Sequence, residues 1–326
     1  MLKQAGVLSP KNAAERTIYE DIMKELVVIS GKGGTGKTSI VASFAALAKN
    51  AVLADCDVDA ADLHLLLDPD VKQTHDFSGG KLAAVVAEEC VGCGRCMEVC
   101  NFDAVRFEGP GNDIVGKTYI IDPISCEGCG VCVHFCPVDA IEFEDAVNGQ
   151  WYVSGTRFGS MVHARLGIAQ ENSGKLVSLI RKETKQIAAE QDNDLIIIDG
   201  SPGIGCPVIA SITGADLVLV VTEPTLSGRH DLDRVTELTQ HFKIPTVICI
   251  NKCDVNMELT EEIHKAAHKW NLKTMGDIPY DPAVTKAQVA GKSIIEYSNG
   301  SLRGCLMALW QSVLETLEEN EKAGAK

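Results

Sequence analysis

The chain has 326 residues, of which 45% are hydrophobic, and a formal net charge of −15. This length suits one large α/β domain with a small insert, or two ordinary domains. So acidic a chain repels polyphosphate backbones and anionic lipid, which argues against sequence-independent nucleic-acid binding. No apolar run approaches the ~20 residues of a membrane helix, so stable membrane insertion is not expected. Met1–Lys24 has no apolar leader, and with thirteen cysteines this points to metal ligation in a reducing, cytoplasmic compartment rather than to disulfides.

Residues 1–25 read as a polar N-terminal extension, with a helix predicted over Asn12–Met23. Leu26–Ser30 is a short apolar run and predicts a buried strand; Gly31–Gly36 is a glycine-rich turn. Thr38–Lys49 then places Ile40, Val41, Phe44, Leu47 and Ala48 at helical spacing. Ala51–Asp55 predicts a second strand, ending in carboxylates. From residue 76 to 150 the chain becomes cysteine-rich, and Trp151–Leu166 reads as a hairpin returning to the main domain. Ser173–Glu190 is an amphipathic helix. Leu195–Asp199, Leu217–Val221 and Thr246–Ile250 are β-branched runs typical of central parallel strands, with helices predicted over Leu232–His241 and Thr260–Trp270. Arg303–Leu317 closes the chain as an amphipathic helix. The expected fold is a doubly wound, mostly parallel α/β sheet, with residues 1–75 and 151–326 forming one discontinuous domain and 76–150 an α+β insert.

The segment from Gly31 to Thr38, Gly-Lys-Gly-Gly-Thr-Gly-Lys-Thr, fits G-x-x-x-x-G-K-[ST] between a strand and a helix. Gly31, Gly33, Gly34 and Gly36, with Lys32 and Thr35 between them, let backbone N–H groups curl around an anion at a helix N-terminus. Lys37 would reach the β- and γ-phosphates of ATP, and the Thr38 hydroxyl would take Mg²⁺. Asp199 ends Leu-Ile-Ile-Ile-Asp and is the natural carboxylate near that Mg²⁺. Asp55 and Asp57 close the second strand at the ligand-binding end of such a sheet; one stands near Mg²⁺ and the other orients the attacking water.

Eight cysteines form two runs, Cys90-x₂-Cys93-x₂-Cys96-x₃-Cys100 and Cys126-x₂-Cys129-x₂-Cys132-x₃-Cys136-Pro137. They lie in an internal repeat: residues 90–108 align with 126–144, and 10 of the 19 positions are identical. Each half is too small to bury a core alone, so the halves must pack together. Three cysteines of a run hold one cubane and the fourth serves the other cluster. One 4Fe–4S cluster therefore takes Cys90, Cys93, Cys96 and Cys136, and the second takes Cys126, Cys129, Cys132 and Cys100. Structural zinc favours isolated C-x₂-C pairs instead. Asn101 stands where the second run has Pro137, and the loop Gly109–Thr118 is long, but neither removes a ligand. Residues 76–150 hold 4 Lys/Arg against 13 Asp/Glu, so 4 − 13 = −9. This field predicts low potentials, on the order of −400 mV, and a redox partner with a basic docking face.

The loop from Lys32 to Thr38 resembles the deviant Walker A motif of the MinD/ParA/Mrp group, which includes the nitrogenase iron protein. Asp55-Cys56-Asp57 is similar to its switch I, and the segment Asp199–Gly205 to its Walker B and switch II. The resemblance spans roughly residues 26–66 and 170–317. It implies a P-loop ATPase acting as a face-to-face homodimer, or a heterodimer with a related ATPase. In it Lys32 reaches the partner's nucleotide, Asp57 positions water, and Asn251 with Ile278-Pro279 lines the adenine. Asn251-Lys252-Cys253-Asp254 also fits the guanine-selecting N-K-x-D of GTPases; Lys32 favours ATP. The cysteine module resembles bacterial two-cluster ferredoxins over residues 86–145, and the combination resembles MinD-superfamily ATPases carrying such an insert.

Three functions follow as alternatives: an ATPase that gates electron transfer or docking of a redox or client protein, an Fe–S scaffold or carrier of Mrp type, and a MinD-like positioning ATPase with structural or redox-sensing clusters. Cys206 reads as a small buried or interface thiol, and Cys249 and Cys253 as core residues. His64, His134 and His163 read as solvated or packed. In the last helix Leu306, Leu309, Trp310, Val313 and Leu317 share a face. The acidic end of that helix favours packing on the core over membrane targeting.

Overall fold

The computed structural model describes residues 23–167 and 172–324. The helix expected over Asn12–Met23 lies, apart from Met23, outside them. The chain divides into two compact units: the described parts of Met1–Gln73, Tyr152–Ala164 and Val177–Lys326, and those of Thr74–Trp151 and Arg165–Leu176. The described residues among 165–176 thus group with the second unit, whereas the sequence placed them with the first.

In chain order the elements begin with β1 (Lys24–Ser30), α1 (Lys37–Leu47), β2 (Ala51–Asp55), α2 (Leu63–Leu67) and β3 (Asp70–Val85). The cysteine-rich region supplies α3 (Arg95–Glu98), β4 (Val105–Gly109), β5 (Thr118–Ile121) and α4 (Val131–His134). Then come β6 (Ile141–Thr156), β7 (Gly159–Leu166), α5 (Ser173–Glu190), β8 (Leu195–Pro202), α6 (Cys206–Ile212) and β9 (Leu217–Thr222). The chain ends with α7 (Leu226–His241), β10 (Thr246–Asn251), α8 (Met257–Lys269), β11 (Lys273–Ile278), α9 (Ala283–Val289), α10 (Ile294–Tyr297) and α11 (Ser301–Gly324).

The large sheet has the order β11-β10-β9-β1-β8-β2-β7-β6-β3. Every pair from β11 to β7 is parallel. β1, β2, β9 and β10 are buried along almost their whole length, as strands covered on both faces must be. Successive strands are added on opposite sides of β1, so the loop after β1 opens at the switch point of the sheet. α7 and α8 start earlier than their apolar periodicity indicates, because Thr225 and Asn256 cap them: Thr225 Oγ1 accepts from Gly228 N and Asn256 Oδ1 from Leu259 N. Leu306, Leu309, Trp310, Val313 and Leu317 of α11 are all buried in the main core, and Trp310 packs on Phe44 of α1 at 4.8 Å between ring centroids. That apolar face is therefore covered by the fold.

In the second unit the sequence repeat is visible in the backbone. Gly92 and Gly94 have positive φ, as do their counterparts Gly128 and Gly130, and Asp103 and Asp139 match at φ 51° and 53°. The halves exchange equivalent hydrogen bonds, Val86 N to Ala140 O at 3.0 Å and Asp122 N to Ala104 O at 2.8 Å. They share one small core in which Val105 and its counterpart Ile141 meet with Cys96, Tyr119, Ile121 and Phe143. β4 and β5 form an antiparallel ribbon with Val105 opposite Ile121. The end of β5 corresponds to the end of β3, which extends the repeat to Gly80-Lys81 and Gly116-Lys117 and, at its far end, to Asn112 and Asn148. These identities are in the sequence but lie outside the cysteine runs that draw attention to it. The long loop after β4 is ordered by Asn112. Its Nδ2 donates to Ala87 O at 2.6 Å and Cys90 O at 2.8 Å, and its Oδ1 accepts from Ile114 N and Val115 N.

Candidate functional site

The loop between β1 and α1 follows the shape its glycines predict. Gly36 has φ 92°, and a Cβ there would lie 2.3 Å from Asn251 Nδ2, so only glycine fits. Gly33 and Gly34 face open space, where an anion can approach the backbone. Thr38 is half-buried in the first turn of α1.

Lys37 is buried at the centre. Its Nζ lies 2.5 Å from Asp199 Oδ1 and 3.2 Å from Asp57 Oδ2. Burial alone would lower the lysine's pKa, but the charges of Asp199 and Asp57 outweigh it and hold the ammonium above its ordinary value. Asp55 is fully buried; its carboxylate accepts from Asp57 N and Leu63 N, each at 3.2 Å, and so shapes the backbone that follows β2. Burial, reinforced by the Asp199 charge, raises the Asp55 pKa well above the usual carboxylate range. Burial also raises Asp57, against the pull of Lys37. Asp57 and Asp199 bring two carboxylates against the single ammonium of Lys37, a setting that suits a divalent cation. Asp199 Oδ2 and Thr35 Oγ1 are buried without a hydrogen-bond partner. An orphaned carboxylate oxygen beside the phosphate loop fits Mg²⁺.

Asn251 and Pro279 sit at the ends of β10 and β11. Asn251 Nδ2 donates to Thr35 O at 2.7 Å and so braces the phosphate loop, while Pro279 is half-buried. Asp254 Oδ1 accepts from Tyr280 N at 2.7 Å, which ties the N-K-x-D segment to the turn after β11.

Glu223, at the end of β9, carried no recognisable motif. It receives Lys32 Nζ on one oxygen and Lys252 Nζ on the other, both at 2.7 Å. Lys32 also donates to Thr225 Oγ1 and Ser227 Oγ, each at 3.0 Å. Cys206 is exposed at the start of α6 rather than buried. Cys249 is a core residue, whereas Cys253 is only half-buried. His64 and His134 are solvated. His163 pairs in register with Asp55 across β7 and β2, and its Nε2 meets Ser154 Oγ at 2.8 Å.

The second unit holds two small pockets lined by cysteines. Cys90, Cys93, Cys96 and Cys136 line one; Cys100, Cys126, Cys129 and Cys132 line the other. None of the eight is in a disulfide. Among the described residues no three His, Cys, Asp or Glu side chains are gathered around a single-ion point. Four thiolates about 2.3 Å from one ion crowd within about 4 Å of each other, whereas thiolates on the separate irons of a cubane surround a larger body. Four cysteines around each apolar-walled cavity fit the latter donor set.

A model of the CobQ/CobB/MinD/ParA nucleotide binding domain matches residues 26–294. The chain belongs to this family. An uncharacterized protein of Methanocaldococcus jannaschii is 33% identical over 300 residues, which cover 91% of this chain and 99% of that protein. A second uncharacterized protein of that organism is 25% identical over 285 residues, 85% and 94% of the two chains. Among solved structures, the cell division ATPase MinD of Pyrococcus furiosus matches with TM-score 0.53 at 15% identity, over 90% of this chain and 98% of its own. Pyrococcus horikoshii MinD, solved with Mg-ADP, matches with TM-score 0.52 at 14% identity, over 89% and 96%. At such identity the MinD structures carry the fold alone, and the CobQ/CobB/MinD/ParA assignment rests on the family match. No helix among the described residues is long and apolar enough to cross a membrane.

Proposed function

We propose that this chain is an ATP-binding and ATP-hydrolysing iron–sulfur protein whose nucleotide state governs electron transfer or partner docking through two 4Fe–4S clusters. The observation that carries this reading is the pair of cavities, each lined by three cysteines of one run and the fourth of the other. Cys90, Cys93, Cys96 and Cys136 would hold one cluster and Cys126, Cys129, Cys132 and Cys100 the second, in a ferredoxin-like insert over residues 76–150. Such clusters supply one-electron chemistry at low potential.

At the nucleotide site Gly31–Gly36 present backbone donors to the phosphates. Lys37 leaves Asp199 and Asp57 for the β- and γ-phosphates, and this frees Asp57 to orient the attacking water. Thr38 and Asp199 would hold Mg²⁺, which neutralises phosphate charge. Asp55 fixes the switch I backbone, and Asn251 with Pro279 borders the adenine. Two chains, identical or related, would meet face to face so that Lys32 of each reaches the nucleotide of the other.

Anaerobic purification tests the reading. About eight iron and eight sulfide per chain are expected from two cubanes, together with Mg²⁺-dependent release of phosphate from ATP. Stoichiometric zinc without sulfide would overturn the cluster assignment.

A further inference from the structure

Lys32 has three N–H donors, and three acceptors of its own chain take them: Glu223 Oε1 at 2.7 Å, Thr225 Oγ1 at 3.0 Å and Ser227 Oγ at 3.0 Å. An ammonium has no further donor to offer. Glu223 is 9% exposed. Although burial would raise its pKa, the hydrogen bonds from Lys252 and Lys32 hold the carboxylate below its usual range. Its second oxygen takes Lys252, which also donates to Gly34 O of the phosphate loop at 3.1 Å. Thr225 is itself fixed, since its hydroxyl caps α7. The acceptors are therefore built into the fold, at the junction of β9 and α7.

We propose that Glu223 is a positioning residue that parks Lys32 within its own chain and so sets the protein concentration at which the ATP-bound chains pair. The inference rests on the reading of the chain as an ATPase that acts as a dimer. A lysine committed to a buried carboxylate cannot also reach a phosphate across an interface. Pairing must therefore exchange the Glu223 contact for one with the partner's nucleotide. A charge-assisted hydrogen bond to a mostly buried carboxylate is among the stronger single contacts. Thr225 and Ser227 are neutral and hold Lys32 more weakly. Lys252 is also held by Gly34 O, a contact in which Lys32 takes no part, so the Glu223 oxygen facing Lys252 is the anchor and the one facing Lys32 is the latch.

Two measurements on the full chain test this. In sedimentation with saturating Mg²⁺ and a non-hydrolysable ATP analogue, Glu223→Gln is expected to pair at a protein concentration about tenfold lower than wild type, because the amide keeps the shape and loses the charge. Lys252→Met should not tighten pairing. An unchanged or weaker Glu223→Gln dimer, or equal tightening by Lys252→Met, would overturn the proposal. The second measurement is independent of pairing. In the nucleotide-free chain, the rate at which acetic anhydride acetylates Lys32, followed by mass spectrometry, should rise several-fold in Glu223→Gln. An unchanged rate at an unchanged melting temperature would show that Glu223 does not hold Lys32. If wild type never pairs with the analogue, the dimer reading fails and Glu223 sets no pairing concentration; the acetylation result then separates a latch without a dimer from no latch at all.

Discussion

Lys37 Nζ stands 2.5 Å from Asp199 Oδ1, so the lysine that closes the glycine-rich loop is paired with a carboxylate within β8. The contact is buried on both sides, with side-chain exposures of 6% and 1%. In the proposed function, nucleotide would draw the ammonium away and so uncover the negative charge that would attract Mg²⁺. Nucleotide and metal are thus expected to bind with mutual assistance.

Removing Lys37 and removing Asp57 should have different consequences. Lys37→Ala deletes the phosphate contact and leaves Asp55, Asp57 and Asp199 without their common counter-charge, so Mg-ATP binding should fall by at least about a hundredfold, as for a lost buried charge partner worth about 3 kcal/mol. Asp57→Ala should bind Mg-ATP near normally and hydrolyse it at least about tenfold more slowly, because water loses its orienting group. Equilibrium binding with single-turnover hydrolysis checks both. A wild-type rate in Asp57→Ala would reassign the switch I residue.

The crossed arrangement of cysteines makes a specific demand. Cys136→Ala is expected to damage the cluster held by Cys90, Cys93 and Cys96, and to spare the one held by Cys126, Cys129 and Cys132. Cys100→Ala should do the reverse. Each variant would keep about half the iron, and reduced-state EPR should show one intact signal, a different one in each variant. Loss of both clusters in both variants would contradict separate four-cysteine sites.

Coupling between nucleotide and clusters can be measured from either side. The chain runs from Asp57 through α2 into the cysteine-rich region and returns by β7, whose His163 is the strand partner of Asp55. A γ-phosphate that ordered the segment around Asp57 would thereby act on residues covalently joined to both ends of the insert. Reciprocity requires that a shift of ~60 mV in a one-electron couple accompany a roughly tenfold change in ATP affinity. EPR redox titration with ADP and with a non-hydrolysable ATP analogue, alongside ATP affinity of oxidised and reduced protein, should reveal both changes. Identical potentials and affinities would favour a carrier or positioning ATPase.

His163 should leave a mark on acid stability. Burial, with a smaller contribution from the charge of His64, lowers its pKa from 6.5 to about 4. The folded state thus favours the neutral ring. Its contribution is complete above pH 6.5 and is lost as pH falls toward about 4. With allowance for partial exposure the loss is about 2 kcal/mol. Urea unfolding should show wild type losing that much more than His163→Gln between those two pH values, and parallel curves would mean that the ring protonates freely in the fold.

The features legible in the sequence were those that depend on neighbours along the chain. The phosphate loop is a run of glycines between an apolar strand and a helix, and the eight cysteines of the insert are set by spacing within a repeat. Leu195–Asp199 and Thr246–Ile250 are visible as strands because burial on both faces demands an unbroken apolar run. The same reasoning stopped short where an element starts on a polar cap, as α7 does at Thr225, because periodicity marks the buried face and not the cap.

Tertiary structure decided the contacts between distant segments. Lys32 meets Thr225 across 193 positions in sequence, and Lys37 meets Asp199 across 162. Such pairs exist only once the parallel crossovers have set β1 between β8 and β9. Glu223 is one acidic residue among 45 Asp and Glu, and nothing local distinguishes it. Its place is where β9 ends beside the phosphate loop, close enough for two lysines from the loops after β1 and β10 to share its two oxygens.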